Sequence, residues 1–577
     1  PGFPVVTVKG ADTEAHLVLE GPASQGTPRS AVVATSPSGG YAASNFAIYY
    51  EPNTDRVLWT LNPFAFFARA LGGERHPIPD VTTLVGRRIY FSHIDGDGWN
   101  NVSEIEGHRE LQRTSAEVIE REAIVPYPDL PVSVGMITGD VDASLGGQAA
   151  SASVARRLYA MPQVEVAVHT HTHPFDWQFF ESYDRAEELK RIERAQSPTL
   201  TLREKFTRSV LNLAGKPMVA DRTDKYVAGS DDLPRTYLRK PFDLATETAG
   251  ALQLASQLAP AGKPASLYLW SGDTTPFPAA IESVRRAGAR NINGGDSRLD
   301  ADYPSVAYVP PISRTAGGQR QIYSGNSNEN TYTNDWTGPY YGFFMLERTL
   351  DNTEEPRRLK PFNLYYHMYS GEKPAALAAV RHLLDRARAA RVVPIPASRY
   401  AAIADDFFGV EIVQVDLFSW AVSRRGALST VRFDDAEQLA VDLARSDGAL
   451  GSTRHQGSLY VALDPRKERA VVTLRSRRGQ EAAERDSALS TASLVDSRWQ
   501  LSGYARDGCG FRVTAEGYGT GDMTWLTAPR RAFRVSASRD SKLLSEETRW
   551  ADEQGLFRLR IAPAATEPLE LRFTCHE

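Results

Sequence analysis

The sequence predicts an α/β protein in three parts: a β-rich N-terminal domain over residues 1–85, a distorted (β/α) barrel over 86–407, and a C-terminal antiparallel β-sandwich, jelly-roll-like, over 408–577. Three observations predict it. At 577 residues the chain is too long for one continuous core, and a typical domain of about 150 residues suggests three to four domains. Between 86 and 407, short apolar β-branched runs alternate with amphipathic helical stretches, the pattern of βα units on a parallel sheet. A stretch of about 320 residues suits a closed or distorted barrel better than a small open sheet. Beyond 408 the helical pattern fades and alternating runs take over, as in a sandwich.

In chain order, Val5–Lys9, His16–Glu20 and Ala31–Thr35 read as strands, Ser36–Gly40 as a loop and Pro63–Leu71 as a short helix. Within the central part, the strand candidates are Arg88–His93, Val132–Thr138, Val164–His169, Ser266–Trp270, Asn363–His367 and Arg391–Ile395. Helix candidates are His108–Ile124, Gln148–Met161, Phe242–Leu258, Phe277–Ala287 and Lys373–Ala390. A further helix is expected over Asp434–Ser446. After it come strand candidates at Ser458–Asp464, Ala470–Arg475, Arg531–Ser536 and Leu556–Ile561; Glu411–Asp416 is a strand candidate before it. In such folds chemistry sits at the C-terminal ends of strands.

Composition excludes several classes. Hydrophobic residues are 42% and charged residues 24%, ordinary for a folded globular chain. The net charge is −5 with no basic stripe, so no nucleic-acid partner is expected. No run approaches the roughly 18 apolar residues of a membrane span. The start at Pro1, without Met, reads as a processed or excised fragment.

The sharpest motif is His169-Thr-His171-Thr-His173, directly after the strand run Val164–Val168. His169 and His173 have the i, i+4 spacing that lets two imidazoles reach one metal, and neutral imidazole is a good zinc ligand. The second motif is Asp95-Gly96-Asp97, again at a strand end. Two carboxylates two residues apart can divide labour, one ligating a metal and the other accepting a proton. Two imidazoles and one carboxylate leave positions for water and a substrate oxygen, the arrangement of a catalytic rather than a structural zinc.

These residues resemble the metal triad of NodB-like polysaccharide deacetylases, carbohydrate esterase family 4. The acidic pair and His169-Thr-x-x-His173 match two motifs of that family, and Arg239-Lys-Pro241-Phe242 resembles a third. Asp335-Trp336, with Asp296 as a rival, resembles a fourth, and Leu364-Tyr-Tyr-His367 a fifth. Order and spacing are more similar still to the deacetylases of carbohydrate esterase family 18. The resemblance implies a distorted barrel of NodB-like type holding a divalent metal, zinc by expectation, on Asp97, His169 and His173. It implies Asp95 as base, His367 as acid, Arg239 orienting Asp95, and the backbone N–H near Phe242 stabilising the oxyanion. Trp99, His171, Phe242, Trp270 and Trp336 are the expected substrate contacts, with Trp177 nearby and with capping of its own loop as the alternative for His171; His93 is expected to lie behind the site. The implied reaction is N-deacetylation of a Pel-like, N-acetylgalactosamine-containing exopolysaccharide of a biofilm matrix. The implied location is the periplasm, and the implied partners are exopolysaccharide export proteins. Family 4 has an adjacent acidic pair, whereas Gly96 intervenes here.

Two other readings stand beside this one: a glycoside hydrolase on a similar barrel, needing two carboxylates and no metal, and an inactive glycan-binding scaffold. Cys509 and Cys575, the only cysteines, are either a disulfide of the C-terminal domain, implying an oxidising compartment, or two unrelated buried thiols.

Overall fold

Arg87–Asp95, here β1, is buried along its whole length at the centre of a parallel sheet. The computed structural model describes residues 4–72, 76–196, 233–477, 492–562 and 566–576. Parallel to β1 run β2 (Val132–Met136), β3 (Val164–Val168), β4 (Leu267–Leu269), β5 (Arg290–Ile292) and β6 (Phe362–His367), in the order β5-β4-β3-β2-β1-β6. A seventh strand, β7 (Val392–Pro394), pairs with the first half of β1.

Helices connect these strands, as right-handed βα crossovers require. Among them are α1 (Ala149–Ala160), α2 (Ala251–Leu258), α3 (Pro278–Arg286), α4 (Leu346–Asn352) and α5 (Pro374–Ala389), while Ser115–Ile119 lies between β1 and β2 and α6 (Ala397–Asp406) follows β7. The period-2 pleat sorts the strand residues onto two faces. Tyr90, Ile94, Val134, Val166, Val168 and Leu364 join one core with apolar residues of α1, α2, α3 and α5. Ile89, Phe91, Ala167, Leu267 and Leu269 join a second core that continues into the C-terminal region. On that face Tyr400 of α6 stacks on Phe91 at 4.1 Å.

The distorted barrel expected here is formed only in part. Among the described residues, β5 and β6 are edges of the sheet and do not pair with each other. Side chains of the edge strands tie the gap through residues 321–326. Asn291 on β5 accepts from the Ile322 N–H, and Gln321 Nε2 donates to the Asn293 carbonyl. Asn363 on β6 accepts from the N–H groups of Gly325 and Asn326. The two asparagines take the place of a backbone ladder, so the sheet is a partial barrel.

Before β1, Glu14–Glu20, Arg29–Ser36 and Gly39–Ala42 form a three-stranded antiparallel sheet, and Pro63–Leu71 is a helix capped by Asn62. Residues 5–9 are not a strand. Ile78–Pro79 pairs with Thr430–Phe433, and Thr83–Leu84 folds back on β1, so this linker is stitched to both neighbours. Beyond 408 the chain forms four- and five-stranded sheets and six strands of a seven-stranded one, whose seventh is Ile78–Pro79, in mainly antiparallel pairs. The helix expected at Asp434–Ser446 is absent. Leu439–Val441 pairs with Leu474–Ser476, and the Asp442 carboxylate accepts from the N–H groups of Ala444 and Arg445, turning the chain instead. No helix among the described residues is long and apolar enough to cross a membrane.

Cys509 and Cys575 are disulfide-bonded beside the paired strands Gly510–Glu516 and Leu569–His576. Their 66-residue separation makes the cross-link worth about 4 kcal/mol in the chain-entropy model. Cys509→Ser/Cys575→Ser is therefore expected to lower the denaturant midpoint of the C-terminal region, and reductant should lower the wild type equally. Two labelled thiols in denatured, unreduced protein would contradict the bond.

Candidate active site

The pleat that buries Ile89 and Phe91 carries His93 and Asp95 onto the same face of β1 at its C-terminal end. Pairing with β6 sets Tyr365 opposite His93 and His367 opposite Asp95. Gly96 then lets the chain turn hard against β2: a Cβ there would lie 2.8 Å from both the Gly135 carbonyl oxygen and the Ile137 nitrogen. That close approach accounts for the glycine between the two acids. Gly135 serves the same packing, since a Cβ on it would lie 2.4 Å from a Leu269 methyl.

Asp97 and the histidine loop meet above the sheet. Asp97 Oδ2 is 3.0 Å from His169 Nε2, and Asp97 Oδ1 is 2.9 Å from His173 Nε2. His169 Nδ1 faces the Leu269 carbonyl at 3.2 Å, and His173 Nδ1 faces Thr236 Oγ1 at 3.1 Å. Each imidazole is thus held from behind with Nε2 aimed at Asp97, the outer support that orients histidine ligands in metal sites. The loop itself is strained at Thr170 (φ 68°) and His173 (φ 57°), both left-handed. Buried Glu247 compensates: its carboxylate accepts from the N–H groups of His171 and Thr172 and from the Thr172 hydroxyl.

Burial opposes the charge on Asp97, but the adjacent His173 and His169 imidazoles hold its carboxyl well below the usual carboxylate range. Burial also opposes the His173 cation, yet Asp97 raises its pKa. These are the electrostatics of a site built for positive charge between the three side chains. The donor set of two imidazoles and a carboxylate, with ligand atoms all within 4.8 Å of one another, fits a divalent cation of the zinc type.

Asp95 lies deeper, 1% exposed, and burial raises its pKa. Its Oδ2 accepts from Tyr365 OH at 2.7 Å and Asn293 Nδ2 at 3.0 Å, while its buried Oδ1 has no hydrogen-bond partner. Opposite, His367 Nε2 is 3.9 Å from Asp95 Oδ2, and its Nδ1 is 3.1 Å from Glu329 Oε2. Burial would lower the His367 pKa, but Glu329, joined by Asp95 and Asp97, pushes it up to about 9. His93 sits behind, between Asn293 and Asn363, and burial drops its pKa to about 3, so it is a neutral support.

These groups open into a cleft of about 650 Å³. Phe175, Trp336 and Tyr369 are half-buried on its walls, with Trp336 4.3 Å from Tyr369 between ring centroids, and Asp296 and Asp335 lie on its lining.

Asp95, Asp97, His169, His173, His367 and Trp336 are therefore brought together; other expected residues are not. Arg239 is exposed and donates to the Ser144 carbonyl, while Asn293 and Tyr365 hold Asp95. The Phe242 N–H already donates to Tyr183 OH and its ring stacks on Phe180, so it supplies no oxyanion donor to the cleft. Trp99 is buried outside the cleft lining. His171 is turned to Thr138, Nδ1 to Oγ1 at 2.9 Å, and caps its loop. Trp270 underlies the cleft but is 0% exposed, its N–H given to Asn291, so it can stack on no sugar; Trp177 is equally buried.

The sequence reading missed Glu329, Asn293, Tyr365, Thr236 and Glu247. Tyr365 carried a signal, since it alternates with His367 on one strand face. Asn293 follows a short strand, Arg290–Ile292, with only one apolar side chain to mark it, and Glu329 sits in a polar irregular segment without periodicity.

No protein-family model matches the chain, and no curated protein matches it. Among solved structures, it is 10% identical to a 4-alpha-glucanotransferase from Thermococcus litoralis, over 84% of this chain and 99% of that one, with a TM-score of 0.30. A GH30 endoxylanase from Clostridium papyrosolvens is 9% identical over 88% and 98%, with a TM-score of 0.18. A glucosidase from Croceicoccus marinus is 9% identical over 87% and 99%, with a TM-score of 0.16. Likenesses at these scores assign neither fold nor activity.

Two predictions arise here. Arg239→Ala is expected to behave as a surface change, within about 0.5 kcal/mol in stability and with unaltered zinc affinity, read by denaturant unfolding and calorimetry. The His367 pKa is raised above its unfolded value of about 6.5. Its stabilising contribution in metal-free protein is therefore complete below about pH 6.5 and lost as pH rises towards about 9. Unfolding free energies measured across that window should fall more steeply for wild type than for Glu329→Gln; equal slopes would contradict the ion pair.

Proposed function

We propose that this chain is a metal-dependent N-deacetylase of an acetylated amino-sugar polymer. The observation that carries this reading is the convergence of Asp97, His169 and His173 on one point, with Asp95 and His367 beside it on neighbouring strands. Asp97, His169 and His173 would hold the cation. When bound, a divalent cation there supplies a Lewis acid that polarises an acetyl carbonyl and makes water easier to deprotonate.

The chain's own groups do the rest. The free Oδ1 of Asp95 accepts the proton from the attacking water, and its raised affinity for protons suits a general base. Tyr365 and Asn293 fix the other oxygen so that Oδ1 keeps its aim. His367, held protonated by Glu329, carries its proton on Nε2 and gives it to the departing amine. The half-buried rings of Trp336, Tyr369 and Phe175 offer apolar faces for sugar rings and narrow the cleft against bulk water.

Resemblance to carbohydrate esterase family 18 supports an N-acetylgalactosamine-containing exopolysaccharide as the polymer and the periplasm as the location, with export proteins as partners. The Cys509–Cys575 disulfide suits such an oxidising compartment.

Acetate release from an acetylated hexosamine polymer tests the reading. Wild type should release acetate and stop with chelator, whereas a glycoside hydrolase would liberate reducing ends and ignore it. Asp95→Asn is expected to keep the zinc held by Asp97, His169 and His173 while losing turnover by about 10²–10⁴-fold, the usual worth of a general base. His173→Ala should lose zinc and turnover together. A fully active His173→Ala enzyme would rule the triad out.

A further inference from the structure

Asp97 belongs to two clusters. Besides His169 and His173, it stands with Asp95 and His367, and the ligand atoms of this second trio also all lie within 4.8 Å of one another. Asp95 lines the cleft and offers a buried oxygen that has no hydrogen-bond partner. His367 offers Nε2, because Glu329 occupies Nδ1, the same carboxylate–imidazole support that tunes histidine ligands. Asp95 Oδ2, the other oxygen of that carboxylate, is 3.9 Å from His367 Nε2, so carboxylate and imidazole stand close enough to share one ion after a small adjustment.

We propose that Asp95, Asp97 and His367 form a second, weaker divalent-cation site, and that filling it switches the enzyme off. The site is weaker because it shares Asp97 with the first, so its ion would sit near another cation, at a spacing on the order of the 3.5–4 Å of known two-metal centres. It is inhibitory because it engages both proton-handling groups. An ion on Asp95 takes the lone pair that should receive the water proton, and an ion on His367 Nε2 displaces the proton meant for the amine. The inhibitory consequence rests on the deacetylase reading; the site itself rests on the geometry of the three side chains.

The experiment is zinc titration of metal-stripped protein by equilibrium dialysis with elemental analysis, with circular dichroism to check folding, on wild type and four variants. Wild type should bind two ions per chain, the second at least tenfold more weakly. His367→Ala should bind one, tightly. His173→Ala should lose the tight ion, and Asp97→Asn should lose both. Glu329→Gln should weaken only the second ion, by about 10–100-fold. Acetate release by wild type should rise over the first equivalent and fall below a tenth of its maximum over the second. Saturation of wild type at one ion, survival of the second ion in His367→Ala, or full activity with two ions bound would each overturn the proposal while leaving the first site standing. A wild type that binds no zinc at all would remove the deacetylase reading as well.

Discussion

The register between β1 and β6 is the constraint on which the site depends. With His367 opposite Asp95 and Tyr365 opposite His93, four polar side chains point from one sheet face into one space. A slip of β6 by one residue would send Tyr365 and His367 to the other face, beside Tyr90 and Ile94, and away from His93 and Asp95. The apolar residues below them, Ile89 and Phe91, hold that register through the core they share with α6 and the C-terminal sheets. Packing far from the cleft therefore fixes where the proton-handling groups stand.

Burial gives these groups their character. Taking a carboxylate or an imidazolium from water is costly unless a partner or hydrogen bond replaces the hydration. Here the replacements are uneven, and the differences separate the roles. Asp97 lies between two imidazoles and stays ionised. Asp95 has neutral donors on one oxygen and nothing on the other, so it holds protons more readily. His367 leans on Glu329 and remains a cation, whereas His93, among amides, is neutral. Two aspartates and two histidines on adjacent strands thus acquire four different chemistries.

Much of this was legible in the sequence. The strand cores of β1, β2, β3, β4, β6 and β7, and helices α1, α2, α3 and α5, lie where hydrophobic periodicity put them. The histidine loop and the acidic pair announced themselves by residue type at strand ends. What was illegible lay in irregular chain or in short elements. Glu329 and residues 321–326 have no period to read, and β5, Arg290–Ile292, has a charged residue and an amide beside its one apolar side chain, so the route that ties the sheet's edges could not be foreseen. Arg239 and Phe242 were placed by motif, and motif spacing does not encode side-chain direction. Trp99 and Trp270 were placed by proximity, but large aromatics are bought into cores as readily as into clefts.

The claim that orders all of this is that Asp97, His169 and His173 hold a divalent cation. Anomalous scattering at the zinc edge, from crystals of zinc-loaded protein, tests it directly. The account requires a strong anomalous peak about 2 Å from Asp97 and from Nε2 of both histidines. A map with no peak there, while Asp97 still bridges the two imidazoles directly, would contradict it.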